Sequence, residues 1–256
     1  MSDDLAGLDP RQLKDILGEG PAALFATVSG AHLYGFESPD SDVDLRGAFV
    51  APLHEALRIT PFEETRVIER IQDGIELDWV AHDIHKFARL MPRRNGYVLE
   101  QLYSPLVVLG GPWLDELRGI GEGCIIRHLY HHYRGFLATQ RKLLLKPDAT
   151  VKAMLYAYRV ALTGIHVLRT GAVEANLPKL LSEHPTEGVD ELIARKREGT
   201  EKQHLLAEDL GRHLPALDRL EGALLAAFEA SALPDEATSR PALDDFVVRA
   251  RLSLGA

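Results

Sequence analysis

Short apolar runs separated by turn residues characterise the beginning of the chain. The run AALFATV at 22–28 is closed by Ser29-Gly30 and predicts a buried strand. The stretch GFESPDS at 35–41 is dense in Gly, Ser, Asp and Pro, which predicts a loop. Apolar positions at 43–50 then predict a second strand. We expect the two strands to be neighbours in one sheet, with the loop returning the chain to it.

Apolar and polar positions alternate in the next two segments, 65–71 and 74–81, which predicts two further strands. Asp73-Gly74 between them is a typical hairpin turn. Before the first strand, the first 15 residues or so have the spacing of a short amphipathic helix interrupted by Pro10.

The pattern after His82 is helical throughout. Helical spacing predicts helices at 83–91, 98–102, 122–145, 149–170 and 201–229, with two shorter helical pieces within 172–200. A sheet followed by helices predicts an α+β fold. We expect an N-terminal catalytic domain over 1–110 and a C-terminal helical domain over 111–256, joined near 104–121.

Composition is that of a folded globular protein, because 46% of the 256 residues are hydrophobic and 26% are charged. The net charge of −9 argues against a protein that coats nucleic acid non-specifically, although a local basic groove stays compatible with it. Cys124 is the only cysteine, so no intramolecular disulfide forms. The sequence has no apolar run of membrane-spanning length and an acidic, polar beginning, and we expect a cytoplasmic protein without a membrane partner.

Two carboxylates two residues apart, Asp42 and Asp44, are the first candidates for chemistry. On a strand, residues i and i+2 point to the same side, so both acids share one face while Val43 and Leu45 face the core. Such a pair suits divalent cations that clamp a phosphoryl or nucleotidyl transfer, and Mg²⁺ prefers hard oxygen ligands. The spacing alone also fits a solvated edge strand or a turn.

The surrounding motif is more specific. GAHLYG at 30–35 and SPDSDVDLRG at 38–47 resemble the nucleotidyltransferase motif of the DNA polymerase beta superfamily, which is a Gly-Ser turn, a spacer of about ten residues and then Asp-x-Asp. The match is closer to one branch, the RNA-repair-pathway DNA polymerase beta family. Further stretches agree with that branch in order: Lys86-Phe87, Asn95-Gly96, Leu99-Glu100, Lys152, Tyr156, Arg159, 168–171 and 196–199. The resemblance covers roughly residues 25 to 202.

This resemblance implies an N-terminal nucleotidyltransferase-type mixed sheet with flanking helices and a metal-dependent transfer from a nucleoside triphosphate, with Mg²⁺ or Mn²⁺ as cofactor. It also implies a third carboxylate on a neighbouring strand. Glu76 and Asp78 alternate with apolar residues there, and we choose Asp78 because it lies deeper in the strand. Glu76 is the alternative candidate for the third carboxylate. A further alternative is that both acids simply face solvent on an edge strand. The predicted catalytic and metal-binding residues are Asp42, Asp44 and Asp78.

The resemblance further implies a nucleotide-binding set: Gly30, Ala31, His32, Tyr34, Ser41, Lys152 and Arg159. Ala31 departs from the motif, because the superfamily has serine after the first glycine. Backbone N–H groups of a glycine turn before a helix still bind phosphate without that hydroxyl. Lys152 and Arg159 are spaced to share one helix stripe, which also fits a solvated helix face. We expect Arg46-Gly47 to serve the fold or the metal carboxylates through a charge-assisted hydrogen bond.

Three acceptor hypotheses follow. The branch name points to transfer of a nucleotide to an RNA end in RNA repair. The acidic balance is compatible with transfer to a hydroxyl of a partner protein. The Ala31 departure is compatible with a non-catalytic, nucleotide-binding regulatory protein. No residue in the sequence indicates a base preference or an oligomeric state.

Overall fold

The structure is a computed structural model that describes residue 5 and residues 8–19, 22–72, 74–199 and 203–255. The chain forms two compact units. The first comprises residues 1–33, 42–124 and 236–256, and the second comprises residues 34–41 and 125–235. The domain boundaries expected from the sequence, 1–110 and 111–256, remain a prediction.

Five strands form the sheet of the first unit, in the order β3-β4-β2-β1-β5. They are Ala23–Val28 (β1), Val43–Phe49 (β2), Thr65–Gln72 (β3), Ile75–Asp83 (β4) and Val107–Leu109 (β5). Strands β2 and β4 are parallel and every other neighbouring pair is antiparallel, so the predicted mixed sheet is confirmed. The predicted pairing of β1 with β2 and the β3–β4 hairpin are confirmed too. Asp73 of the predicted turn lies outside the described residues.

One face of the sheet is apolar because side chains alternate along each strand. Val43 and Leu45 of β2 and Leu77 and Trp79 of β4 are buried in a common core with Val28 of β1. The residues between them, Asp44 and Asp78 among them, therefore point to the opposite face. This alternation positions the candidate site.

Helices make up most of the remaining chain. They are Pro10–Leu17 (α1), Gly30–Tyr34 (α2), Leu53–Leu57 (α3), Ile84–Leu90 (α4), Gly96–Tyr103 (α5), Pro112–Glu122 (α6), Leu129–Leu144 (α7), Val151–Thr170 (α8), Leu177–Glu183 (α9), Val189–Glu198 (α10), Ala207–Ala230 (α11) and Arg240–Leu254 (α12). The α+β class is confirmed. Within the described part of the chain, no helix is both long and apolar enough to cross a bilayer.

Helix α8 is the central element of the second unit. It packs against α7 and α11 and contacts α9 and α10, and most of its side chains are buried. Thr150 caps its N-terminus by accepting a hydrogen bond from the N–H of Ala153. Gly171, in the left-handed conformation with φ 72°, ends it. The predicted helix at 149–170 and the two shorter helices within 172–200 are confirmed.

Four sequence expectations were wrong in detail. Pro10 begins α1 rather than interrupting it, because proline is favoured in the first helical turn, where no N–H is needed. The helix expected at 122–145 begins at Leu129, and α11 begins at Ala207 rather than at 201. The chain after His82, expected to be helical throughout, contains the strand β5 at Val107–Leu109. A strand of three residues carries too little local pattern to be recognised, and its pairing with β1 is long-range.

The last helix, α12, belongs to the first unit and was not predicted. It packs against α4 and α6, and its Arg251 makes a two-pronged ion pair with Asp83 at 2.6 and 2.9 Å. Asp83 is fully buried, and it also accepts hydrogen bonds from the N–H groups of Ala51 and His85. A buried carboxylate with these partners ties the C-terminal helix to the end of β4.

Replacing Arg251 is expected to destabilise the fold strongly. Arg251→Met leaves the buried charge of Asp83 without its counter-ion, which costs about 3–5 kcal/mol. Urea unfolding followed by circular dichroism measures the loss. The matched control is Arg249→Met on the same helix, whose partners Glu116 and Asp245 are exposed, and it should change the unfolding midpoint little. Equal shifts for the two variants would contradict a structural role for the buried pair.

A second expected effect concerns pH. Burial, with the nearby charge of Lys86, lowers the pKa of His82 to about 4 from an ordinary 6.5. Between pH 6.5 and 4 the unfolded chain therefore binds a proton at His82 that the folded chain does not, so this residue makes stability fall as pH falls through that window. The urea unfolding midpoint of His82→Gln should decrease less between pH 7 and 4.5 than the midpoint of the parent chain. The same loss in both chains would refute this effect.

Candidate active site

Asp44 and Asp78 lie opposite each other in the parallel β2–β4 pair. Their Cα atoms are partners in the register of the two strands, and both side chains are 28% exposed. Because both point away from the apolar core, their carboxylates share one face of the sheet. The structure thus brings together one member of the Asp-x-Asp pair and the predicted third carboxylate.

Arg46 joins these two carboxylates. Its Nη2 atom donates to Asp44 Oδ1 at 2.6 Å and to Asp78 Oδ2 at 2.9 Å. Its Nε atom donates to the hydroxyl of Tyr97 at 3.0 Å, and its Nη1 atom donates to the carbonyl oxygens of Leu45 and Asp78 at 2.8 and 2.9 Å. Burial lowers the pKa of Arg46, but Tyr97 and the two carboxylates outweigh it and the pKa lies above its ordinary value. The expected charge-assisted hydrogen bond from Arg46 to the carboxylates is confirmed.

Gly30 allows the Asp44 carboxylate to lie against the backbone. Its φ is +61°, and a Cβ atom added there would lie 1.9 Å from Asp44 Oδ2. No other residue type fits this position without moving the carboxylate. Ser29, just before it, donates its backbone N–H to the carbonyl oxygen of Asp44 at 2.7 Å. The first glycine of the motif is therefore in contact with the Asp-x-Asp strand.

Asp42 and Glu76 have different surroundings from Asp44 and Asp78. Asp42 is exposed and immediately precedes β2. No group of three His, Cys, Asp or Glu side chains that would hold a metal ion occurs in the part of the chain that the structure describes, and binding of a metal ion by Asp42 stays a prediction. Glu76 is exposed and is paired in register with Ile71 of the hairpin. The position opposite Asp44 belongs to Asp78.

The turn before α2 differs from the motif at one position. Ala31 is buried, 6% exposed, and His32 is buried at 9%. The hydroxyl of Ser29 is buried and has no hydrogen-bond partner among the described residues, and it precedes the glycine instead of following it. Tyr34, the last residue of α2, belongs to the second unit.

The loop 35–41 is held within the second unit by two basic residues of α10. The Nζ atom of the fully buried Lys196 donates to Ser38 Oγ at 2.5 Å, and Arg197 donates to the carbonyl oxygen of Gly35 at 2.8 Å. Ser41 Oγ accepts a hydrogen bond from the N–H of Ser38 at 2.9 Å. Sequence reasoning noted the segment 196–199 only as a matching stretch and assigned Lys196 no role. Only its long-range contact reveals the role, because a lysine at the end of a helix is ordinarily solvated.

Lys152 and Arg159 lie on α8 in the same unit. Arg159 is fully buried, and its guanidinium carbon lies 4.0 Å from the ring centre of Tyr34, which is a cation–π contact. Lys152 Nζ lies 5.8 Å from the ring centre of Tyr156. Arg159 therefore does not lie on a solvated helix face. The contact of both residues with a triphosphate stays a prediction.

Tyr97 is a contributor to the site that sequence reasoning missed. It lies on α5, distant along the chain from Arg46, and its hydroxyl fixes the Nε side of that guanidinium. A tyrosine in a short apolar helix carries no local sign of this contact. The neighbouring pairs Asn95-Gly96 and Leu99-Glu100, which carry part of the resemblance, were the nearest available signal.

Comparisons with known proteins show the family of this chain. The family model of the RNA repair pathway DNA polymerase beta family matches residues 11–249, and the chain belongs to this family. It is also 30% identical over 156 residues to an uncharacterized protein of Methanocaldococcus jannaschii. That alignment covers 60% of this chain and 63% of the length of that protein. The name of the family refers to DNA polymerase beta and to an RNA repair pathway.

The contact between Gly30 and Asp44 leads to a testable expectation. Gly30→Ala combines a left-handed backbone with a steric overlap on the carboxylate, so it should destabilise the first unit by at least about 1–2 kcal/mol in urea unfolding. The control is Gly135→Ala, at an exposed position inside α7 where nothing lies within 4 Å of the added Cβ. That change should stabilise by roughly 0.5–1 kcal/mol. A Gly30→Ala chain as stable as the parent would show that the carboxylate does not need this close approach.

Proposed function

We propose that this protein is a metal-dependent nucleotidyltransferase that transfers a nucleoside monophosphate from a nucleoside triphosphate to a hydroxyl acceptor, with an RNA end as the acceptor. The observation that carries the proposal is the in-register pair of Asp44 and Asp78 on adjacent parallel strands. The motif glycine at position 30 contacts the first of these carboxylates. A glycine turn, a strand carboxylate and a carboxylate on the next strand are the parts that the family resemblance requires.

The residues of the pair fit a divalent cation. Carboxylate oxygens are the hard ligands that Mg²⁺ and Mn²⁺ bind. Asp78 Oδ1 is buried and has no hydrogen-bond partner among the described residues, which leaves an oxygen for a cation to satisfy. Asp44, Asp78 and the exposed Asp42 are the proposed ligands. When bound, Mg²⁺ or Mn²⁺ would neutralise charge on the triphosphate and activate the attacking hydroxyl.

The chain's own residues account for the remaining steps. The acceptor hydroxyl oxygen forms a bond to the α-phosphorus, the bond between that phosphorus and the oxygen bridging to the β-phosphate breaks, and pyrophosphate leaves. Asp78 acts as general base on the attacking hydroxyl, or it helps a bound metal ion lower the pKa of that hydroxyl. Backbone N–H groups at the Gly30–Ala31 turn bind phosphate oxygens in place of the missing serine hydroxyl. His32, Tyr34, Ser41, Lys152 and Arg159 stay the predicted nucleotide-binding residues.

Two alternative functions can be distinguished from this proposal by experiment. The buried methyl group of Ala31 stands where the motif has a hydroxyl, which favours a nucleotide-binding protein without turnover. Transfer to a protein hydroxyl uses the same donor chemistry and differs only in the acceptor. A cytoplasmic location belongs to the proposal as well.

Label transfer tests the proposal. The purified chain is incubated with each of four α-labelled nucleoside triphosphates and Mg²⁺ or Mn²⁺, with total RNA, with total protein, or with neither. We expect label on RNA, and Asp44→Asn and Asp78→Asn should each reduce the transfer at least about 100-fold, because each removes charge at the site where the triphosphate reacts. Removal of the metal with a chelator should abolish transfer in the parent chain.

The matched control is Glu76→Gln, on the same strand as Asp78 but exposed. It should retain transfer, whereas loss equal to that of Asp78→Asn would mean that Glu76 is the third carboxylate. Label on protein but not on RNA would support the protein-modifying alternative. Nucleotide binding without any transfer would support the non-catalytic alternative.

A further inference from the structure

Two carboxylates on adjacent strands, as Asp44 and Asp78 are, repel each other unless a cation lies between them. Adjacent strands are about 4.8 Å apart, and like charges directly opposite one another destabilise a sheet. The pair is only 28% exposed on each side, so water screens the repulsion incompletely. A cation supplied by the chain itself, Arg46, lies between them.

Every N–H donor of Arg46 is used in a hydrogen bond in this position. A guanidinium carries five N–H donors, and Arg46 uses them on Tyr97, on the carbonyl oxygens of Leu45 and Asp78, and on the two carboxylates. Its side chain is 11% exposed. Moving it would break bonds to the backbone and to Tyr97 as well as both ion pairs. Arg46 is therefore a fixed part of the site and not a mobile surface charge.

We propose that Arg46 is the resident counter-ion of the Asp44–Asp78 pair: it holds the two carboxylates side by side and makes their binding of a divalent cation depend on bound nucleotide. This inference rests on the proposed function. Arg46 reduces two negative charges to one net negative charge and takes one oxygen of each carboxylate. Asp78 Oδ1 remains for a cation.

The physical consequence is weak binding of a free divalent cation. A cation that approaches the pair alone is attracted by the carboxylates and repelled by the guanidinium beside them. A triphosphate adds several negative charges at the same place and outweighs that repulsion. Arg46 is in this sense a positioning residue, because it acts on the metal and the substrate through the two carboxylates.

Binding of Mn²⁺, followed by electron paramagnetic resonance without and with a non-hydrolysable α,β-methylene triphosphate, tests the inference. The parent chain should bind Mn²⁺ at least about tenfold more tightly when the nucleotide analogue is present. Arg46→Met should bind Mn²⁺ without nucleotide at least about tenfold more tightly than the parent, so that the effect of the nucleotide shrinks.

Two further variants separate charge from other effects. Arg46→Lys keeps the charge but not the planar fork, and its affinity for free Mn²⁺ should stay within about threefold of the parent. Arg89→Met removes a different arginine of the first unit, which pairs with Glu64 and is 46% exposed. It should leave Mn²⁺ binding unchanged, which controls for net charge. If Arg46→Met does not fold, Arg46→Gln takes its place with the same expected result, because it removes the same positive charge and keeps side-chain N–H donors.

Two results would overturn the inference while label transfer stays intact: equally tight binding of Mn²⁺ by the parent with and without nucleotide, or weaker binding of free Mn²⁺ by Arg46→Met than by the parent. Absence of Mn²⁺ binding in every chain even with the nucleotide analogue, together with absence of label transfer, would overturn the proposed function along with the inference.

Discussion

The guanidinium of Arg46 lies between the carboxylates of Asp44 and Asp78, and the geometry of the candidate site depends on this contact. It exists because β2 and β4 run parallel and in register, with the two aspartates as partners. A shift of one residue would turn one of the acids toward the apolar core. Core packing therefore determines the arrangement of the polar face: the same register that buries Leu45 beside Trp79 places the two acids together.

The backbone approaches this pair as closely as it does because residue 30 has no side chain. A glycine at φ +61° leaves room for one oxygen of Asp44 directly above the turn that begins α2. The glycine of the motif thus contributes to this arrangement in two ways. It adopts a backbone conformation that other residues avoid, and its lack of a side chain leaves room for the Asp44 carboxylate.

The first unit contains two ion-pair clusters that differ in burial. Asp83 and Arg251 are deeply buried and join α12 to the end of β4, whereas Asp44 and Asp78 remain partly exposed around Arg46. Both clusters use an arginine for a planar, multiply bonded contact that lysine cannot reproduce. Both oxygens of Asp83 accept hydrogen bonds, whereas one oxygen of Asp78 has no hydrogen-bond partner among the described residues.

Alternation, turn residues and motif order over short stretches were enough to predict the α+β class, four of the five strands, the pairing of β1 with β2 and the family. The sequence also indicated Arg46, whose bond to the carboxylates the structure confirmed. The choice of Asp78 over Glu76 as the residue opposite Asp44 needed the strand register. The contact of Tyr97 with Arg46, the contact of Lys196 with Ser38 and the presence of β5, α6 and α12 in the first unit are likewise visible only in the folded chain. Those features depend on contacts between residues far apart in the chain, and the local pattern does not specify which distant residue a side chain contacts.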